Sequence, residues 1–248
     1  MPEIFALAGK GGVGKTTLGG LLVRYLTEVV KRGPVLAVDA DPNSNLNEVL
    51  GMESYATIGD ARETMKTDVP AGMTKETWME LKVHESLAEG RGFDLLVMGR
   101  PEGQGCYCAA NTLVKKHIDI LKESYSFVVV DNEAGMEHMS RLVTQDVDHL
   151  FVVSDATARG IMTAGRILEL VGELKLRIGK SHVVINRVQA ERTDDVERLV
   201  KERGMEAGGI IHEDATLFTL DAEGGSVFSL AGTSLALEDA YGIFKKTI

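Results

Sequence analysis

A short apolar stretch, Ile4 to Ala8, runs directly into GKGGVGKTT, residues Gly9 to Thr17, and a helix-period segment from Lys15 to about Lys31 follows. Strand, glycine-rich turn and helix, in that order, are the setting in which G-x-x-x-x-G-K-S/T forms a phosphate cradle. The glycines let backbone N–H groups turn inward around phosphate oxygens, and the helix N-terminus adds its positive partial charge. Gly11, Gly12, Val13, Gly14, Lys15, Thr16 and Thr17 are therefore the candidate phosphate-binding residues. Lys15 is placed to reach the β- and γ-phosphates, and the Thr16 hydroxyl to sit on Mg²⁺. An ordinary cradle has no need of a second lysine, yet Lys10 stands immediately after the first glycine. Gly9, Gly11 and Gly14 also satisfy G-x-G-x-x-G, with Asp39 as the following acid, which is a dinucleotide-binding pattern. That reading ranks behind, because hydride transfer has no use for Lys15 and Thr16 at the helix start.

The rest of the chain repeats the same alternation. Apolar runs occur at Pro34 to Asp39, Phe93 to Met98, Tyr125 to Asp131, His149 to Val153 and His182 to Asn186, with a shorter one near Gly208 to Ile211. Near-continuous Val, Leu and Ile predict strands covered on both faces, as in a parallel sheet. Helical periodicity is clear over Ala164 to Leu176 and over Thr193 to Arg203. Right-handed crossovers then give a doubly wound, mostly parallel α/β sheet flanked by helices, with the phosphate site at the C-terminal strand ends. The whole chain, 1–248, reads as one domain with a helical insertion over 52–92. That insertion carries the only tryptophan, Trp78, with Met65, Met73 and Met79. These side chains read as the buried face of ordinary helices ahead of a plastic partner-binding surface.

Three strand ends carry further chemistry. The second strand closes in VDADPN, where Asp39 and Asp41 sit beside the cradle; an acid there orients a water for attack or holds a metal-bound water. Asp41, Pro42 and Asn43 alone would read as a turn. VVVDNEAG places Asp131 to bind Mg²⁺ through water and Gly135 to offer its N–H to the γ-phosphate, with Glu133 and His138 just beyond. In VVIN the amide of Asn186 matches the donor and acceptor edge of adenine, and Arg187 follows it.

Composition excludes several partner classes. A formal net charge of −10 on 248 residues disfavours a nonspecific DNA binder and electrostatic attachment to anionic lipid. No apolar run reaches the ~18–20 residues of a membrane span, and no leader pattern precedes the first strand, so the expectation is a cytoplasmic protein. The two cysteines, Cys106 and Cys108, stand one residue apart in GQGCYC and are the entire cysteine content. They can present two sulfurs to one soft metal. Two thiolates do not close a structural zinc site, but a two-fold dimer would supply the other pair. Four thiolates suit tetrahedral Zn²⁺ or square-planar Ni²⁺, and an iron–sulfur cluster is also chemically allowed. The alternative is a pair of free thiols.

Together, GKGGVGKTT with Lys10, VDADPN and the Asp131 segment resemble the deviant Walker A ATPases. That family includes septum-site and chromosome-partitioning ATPases, the arsenite-pump ATPase and the nitrogenase iron protein. The resemblance implies ATP/ADP and Mg²⁺ as ligands and a homodimer in which Lys10 reaches the partner's phosphates. Within the family, DNEAGMEH and GCYC look like the nickel-insertion accessory ATPases of carbon monoxide dehydrogenase and acetyl-CoA synthase. This implies a dimer-interface site for Ni²⁺ or Zn²⁺ on Cys106 and Cys108 and a client nickel enzyme. Asn132 and Glu133 stand where Thr-Pro is common in the wider family, and read as a subfamily mark. The sibling functions fit less well. The C-terminal segment holds Glu238 and Asp239 against only Lys245 and Lys246, unlike a basic membrane-binding tail. The adjacent cysteines do not match the widely spaced pair of a nitrogenase-type reductase, and six scattered histidines are not the tract of a nickel-storage GTPase.

Overall fold

The computed structural model describes residues 1–41, 45–53, 56–65, 67–99, 108–132, 146–173, 177–231 and 234–248, with side chains over 108–114 set aside. Eight strands form one sheet: β1 Glu3–Gly9, β2 Val35–Asp39, β3 Leu87–Glu89, β4 Phe93–Val97, β5 Phe127–Asp131, β6 Asp146–Asp155, β7 Arg177–Val188 and β8 Ala207–His212. Their order is β3-β4-β2-β5-β1-β6-β7-β8, with every pair parallel except β3 against β4. The doubly wound, mostly parallel sheet read from the sequence is the architecture observed.

Strand alternation distributes the apolar runs over two cores. One face carries Phe5, Leu7, Val35, Ala37, Phe127, Val129 and Phe151, covered by α1 Lys15–Tyr25 and the last helix. The other carries Ile4, Ala6, Leu36, Val38, Val128, Val130 and Leu150. That second face is covered by α3 Ile58–Thr64, α4 Lys75–Glu85, α5 Cys108–Leu121 and α6 Ala158–Glu173. Both faces are dry, so the strands lack the polar alternation of a solvated sheet. The remaining helices are α2 Leu46–Leu50, α7 Thr193–Glu202, α8 Ala215–Ala222 and α9 Leu235–Thr247.

Three sequence expectations change in detail. The helix after the cradle is α-helical only to Tyr25; a π-turn over Leu26–Val30 follows and ends at Lys31 with φ +53°. The Thr27 hydroxyl donates to the Val23 carbonyl at 2.7 Å within this region, a back-bond that favours bending. Second, the 52–92 segment is more than helical, because it contributes the antiparallel edge strand β3. Its Trp78, Met79 and Met65 are buried in the sheet core, so they pack the fold rather than form a surface, and Met73 packs partly buried against them. Third, the helix expected to reach Leu176 is described only to Glu173.

The topology fixes where chemistry can occur. β1 lies between β5 and β6, and connections leave it in opposite directions, which opens a crevice at its C-terminal end. Register places Leu7 beside Asp131 and Asp39 beside Asp131, and on the other flank Gly9 beside Val153 and Asp155 beside Asn186.

Candidate functional site

The turn after β1 is shaped by glycines that nothing else can replace. Gly9 has φ +154°, and a Cβ there would lie 2.3 Å from the Val153 carbonyl oxygen. Gly14 has φ +91° and caps α1; a Cβ there would lie 2.4 Å from Nδ2 of Asn186. Left-handed backbone and close approach both demand glycine at these two positions. The result is a cleft of about 480 Å³ lined by Gly11, Gly12, Gly14, Lys15, Thr16 and Thr17 on one wall. Asp41, Asn45, Glu48, Arg187 and Asp221 face them. With no side chain at the helix cap, the first N–H groups of α1 give this end of the cleft a positive character. Lys15 is largely buried and its Nζ donates to the Lys10 carbonyl at 3.3 Å, whereas Lys10 is exposed. Val13 is buried under the turn and gives its carbonyl to Asn186.

Two buried carboxylates form the floor. Asp39 is fully buried, and its oxygens accept from the backbone N–H of Asp41 at 3.1 Å and of Leu46 at 2.9 Å. Burial pushes its carboxyl up to about 6, against the hydrogen bonds from Leu46, Asp41 and Asn45. Asp39 does not line the cleft; it ties the start of α2 to the sheet, while Asp41 two residues on faces the cleft. Asp131 is also buried, and burial pushes it up to about 7, with the Thr16 hydroxyl and Lys15 acting against that and the charge of Asp39 adding to it. Among the described residues, its Oδ1 is buried with no hydrogen-bond partner. A buried carboxylate oxygen is normally satisfied, so this one can accept from a donor or bind a cation. Its neighbour Thr16 supplies the hydroxyl that, with a carboxylate, holds Mg²⁺ in phosphate-loop enzymes, so these residues fit a magnesium site.

At the other end of the cleft, a second cavity of about 640 Å³ is lined by Asn186 and Arg187 from β7 and by His212 through Asp214. Leu217, Phe218 and Asp221 of α8 complete it. Asn186 donates from Nδ2 to the Val13 carbonyl at 2.8 Å, and its Oδ1 accepts from the Arg187 N–H at 3.0 Å. An amide has two donors and two acceptor positions, so one of each is left over for a base edge. Arg187 has φ +58° and its guanidinium donates to the Gly12 carbonyl at 3.3 Å. His212 is held by Asp239 of α9, which accepts from its backbone N–H at 2.9 Å and lies 2.7 Å from its Nδ1.

The structure thus brings Lys10, Lys15, Thr16, Asp39, Asp41, Asp131, Asn186 and Arg187 to one strand-end crevice. Gly135, Glu133, His138, Pro42, Asn43 and Cys106 lie outside the described residues, and Cys108 is described only as the first backbone position of α5. Among the described residues, no three His, Cys, Asp or Glu side chains cluster as a metal would require. The base-side wall over 212–221 was not read from the sequence. Its signal is present, because Asp214, Leu217, Phe218 and Asp221 fall at i, i+3, i+4 and i+7 on one helical face.

The fold and crevice define a phosphate-loop nucleotide-binding α/β protein. The chain belongs to the CobQ/CobB/MinD/ParA nucleotide binding domain family, whose model matches residues 4–227. An uncharacterized ATP-binding protein of Methanocaldococcus jannaschii is 42% identical over 250 residues, 99% of this chain and 98% of that one. The carbon monoxide dehydrogenase accessory protein CooC of Rhodospirillum rubrum is 31% identical over 186 residues, 69% of this chain and 70% of its own. Among solved structures, the septum site-determining protein MinD of Pyrococcus horikoshii complexed with Mg-ADP superposes with a TM-score of 0.72 at 19% identity, covering 99% of this chain and 96% of that one. No helix among the described residues is long and apolar enough to cross a membrane.

Proposed function

We propose that this protein is a homodimeric ATPase whose nucleotide state controls delivery of a soft metal, Ni²⁺ or Zn²⁺, to a client nickel enzyme such as carbon monoxide dehydrogenase or acetyl-CoA synthase. The observation that carries the ATPase reading is the buried Asp131 carboxylate, with an unpartnered Oδ1, beside Thr16 at the phosphate loop. The delivery reading is supported by the likeness to the carbon monoxide dehydrogenase accessory protein and by the Cys106/Cys108 pair.

The residues divide the work by position. The N–H groups at the start of α1 receive the phosphates. Lys15 exchanges the Lys10 carbonyl for a phosphate oxygen, a small movement for a flexible side chain. Asp41 lines the cleft and orients the attacking water. Asp39 holds the segment that carries Asp41 in place through the Leu46 and Asp41 N–H bonds. Thr16 and Asp131 would hold a magnesium ion with its water shell, which supplies charge neutralisation on the β- and γ-phosphate oxygens. Asn186 reads the base, and Arg187 steadies the loop through Gly12. Exposed Lys10 is free to reach the nucleotide of a second copy, which closes the dimer and brings two Cys106/Cys108 pairs together. Coupling then requires that ATP and the metal both prefer the same closed state, since a ligand without differential affinity shifts nothing.

A septum-site or partitioning role within the same family is the competing reading. The apolar face of α9, including Leu237, Ala240, Ile243 and Phe244, is buried in the core, so this helix does not offer that face to a membrane.

The test is a Ni²⁺ titration of the full chain in the apo, Mg-ADP and Mg-ATP states, beside Cys106→Ser/Cys108→Ser. The proposal expects one Ni²⁺ per dimer that depends on both cysteines and on nucleotide. Metal stoichiometry unchanged by the double substitution removes the delivery role and leaves a partitioning or regulatory ATPase.

A further inference from the structure

At the end of the sheet opposite the nucleotide crevice, titratable side chains from three strands meet in a row. Glu3 and Gly9 are the two ends of β1, about 20 Å apart at the rise of an extended chain. His149 of β6 is buried, and its Nε2 lies 3.3 Å from Oε1 of Glu3. Its Nδ1 lies 3.3 Å from Nε2 of His182 on β7. The two imidazole centres are 5.5 Å apart and their planes differ by 20°. That separation is the N···N distance plus one ring radius on either side, so the rings meet edge to edge. A metal ion does not fit between them, because two Zn–N bonds in line need about 4 Å. A single shared proton does fit. We propose that Glu3, His149 and His182 form a one-proton clasp that holds the N-terminal ends of β1, β6 and β7 together at neutral pH and releases them in acid.

Counting protons fixes the state of the clasp. A carboxylate only accepts, so His149 donates to Glu3 from Nε2, which leaves its Nδ1 to accept from the His182 Nε2–H. Both rings are then neutral and every facing nitrogen is paired. A proton added to His149 lands on Nδ1, between the rings, and sets two donors against each other. A proton added to His182 lands on its other nitrogen and puts a charge beside His149. Burial, His149 and Lys180 together hold His182 below its ordinary value of 6.5. Lys180 is the register partner of His149. The other charges at these strand ends are engaged, Arg32 with the second Glu3 oxygen and Asp148 with the Ile4 N–H. β8 meets His182 with Gly208, and α9 meets Phe151 with the Phe244 ring, both uncharged. His149 lies on Phe5 at 5.1 Å and His182 against Phe151 at 5.2 Å, so a ring that turned away would disturb the core. As pH falls, the unfolded chain takes up the His182 proton first. The clasp therefore contributes fully above pH 6.5 and is lost as pH falls below it. The buried carboxylates of the crevice act in the opposite sense, so the clasp has to be read locally.

The experiment is nitrogen-correlated NMR of the histidine rings of the full, nucleotide-free chain from pH 8 to pH 5, with amide hydrogen exchange at pH 7.5 and pH 5. It uses the wild type and His182→Gln, whose amide can donate to His149 Nδ1 but takes up no proton. The clasp predicts that His149 carries its proton on Nε2 alone at pH 8 and that His182 titrates below 6.5. Amide protection at residues 149–151 and 182–184, corrected for intrinsic exchange, should fall about tenfold at pH 5, since each pH unit between the unfolded and folded values shifts the opening equilibrium by about that factor. His182→Gln should keep the protection seen at pH 7.5 and lose the acid fall. A His149 proton on Nδ1 at pH 8, wild-type protection equal at the two pH values, or an acid fall that persists in His182→Gln would each overturn the clasp. Where His182→Gln does not fold, the wild-type tautomer and titration decide alone.

Discussion

The phosphate end of the cleft comes from one unbroken stretch, Gly9 to Thr17, whereas its base end is assembled from the tips of β7 and β8 and from α8. At the first end, the backbone is the recognition surface, and two glycines with left-handed φ and no room for a Cβ enforce its shape. At the second, side chains form the wall, and each is steadied by a different neighbour: Asn186 by Val13, His212 by Asp239, Asp214 by Ser234 and Ala236. A contiguous backbone cradle tolerates little change, while a wall built from many side chains should lose function by degrees. The same contrast separates the acids. Asp39 is spent on backbone N–H groups and is structural in its contacts, while Asp131 keeps an oxygen unpaired.

That contrast orders the expected effects of substitution. Lys15→Ala removes the largely buried cation of the cradle and should lower kcat/KM for ATP by ~10²–10³-fold, as loss of a preorganised charge-stabilising group does. Phosphate-release kinetics would check this, and a loss of less than tenfold would mean that the cradle is not the reaction site. Trp78→Ala should cost about 3–5 kcal/mol of stability through the cavity it leaves, with ATP affinity of the folded protein unchanged. Paired denaturant unfolding and calorimetry would separate the two. Altered affinity at full stability would return the 52–92 segment to a surface role. Asn186→Ala removes the proposed base contact and the brace under Val13, and about tenfold weaker ATP binding is expected, since one hydrogen bond of each kind would be lost.

The smallest effect concerns pH. The folded-state value of Asp131, about 7, lies above its ordinary value of 3.8. Between those values the folded protein holds a proton that the unfolded chain has released. Its contribution is therefore fully present below pH 4 and is lost as pH rises through 7. Asp39, raised to about 6, acts in the same direction. The nucleotide-free protein should lose Tm from pH 5 to pH 8, and Asp131→Asn should flatten that decline by a few degrees, given roughly 2–4 °C per kcal/mol at this size. An identical slope in the variant would show that Asp131 ionises normally in the fold.

How much of this was legible in the sequence follows from the same division. The cradle was fully legible, because a contiguous motif carries its own spacing. β1, β2, β4 and β5 were legible from Val, Leu and Ile runs that only a sheet buried on both faces supports. β3 was not, since Leu87, Ala88 and Glu89 are strand only through pairing with β4. The polar outer ends of β6 and β7, such as Asp146 paired with Arg177, extend beyond any apolar run for the same reason. Asp39 and Asp41 look equivalent in VDADPN, yet one faces the loop backbone and the other the cleft, a choice made by the turn into α2. The base wall stayed hidden because Asn186 and Asp221 meet only when β7, β8 and α8 are packed. Of the Cys106/Cys108 pair, the most specific clue to a metal role, Cys106 lies outside the described residues and Cys108 enters only as the first backbone position of α5, so the pair's weight is that of sequence alone.

The most direct measurement of the central claim is the solution mass of the full chain, by light scattering, in Mg-ADP and in Mg-ATP. It would use Asp41→Ala, which the proposal expects to bind ATP without hydrolysing it, and its Lys10→Ala derivative, with phosphate release by the wild type and by Asp41→Ala recorded alongside. The account predicts wild-type hydrolysis, a dimer of Asp41→Ala in Mg-ATP, a monomer in Mg-ADP, and a monomer in both once Lys10 is replaced. One mass across all nucleotides, with or without Lys10, would contradict a nucleotide-switched dimer.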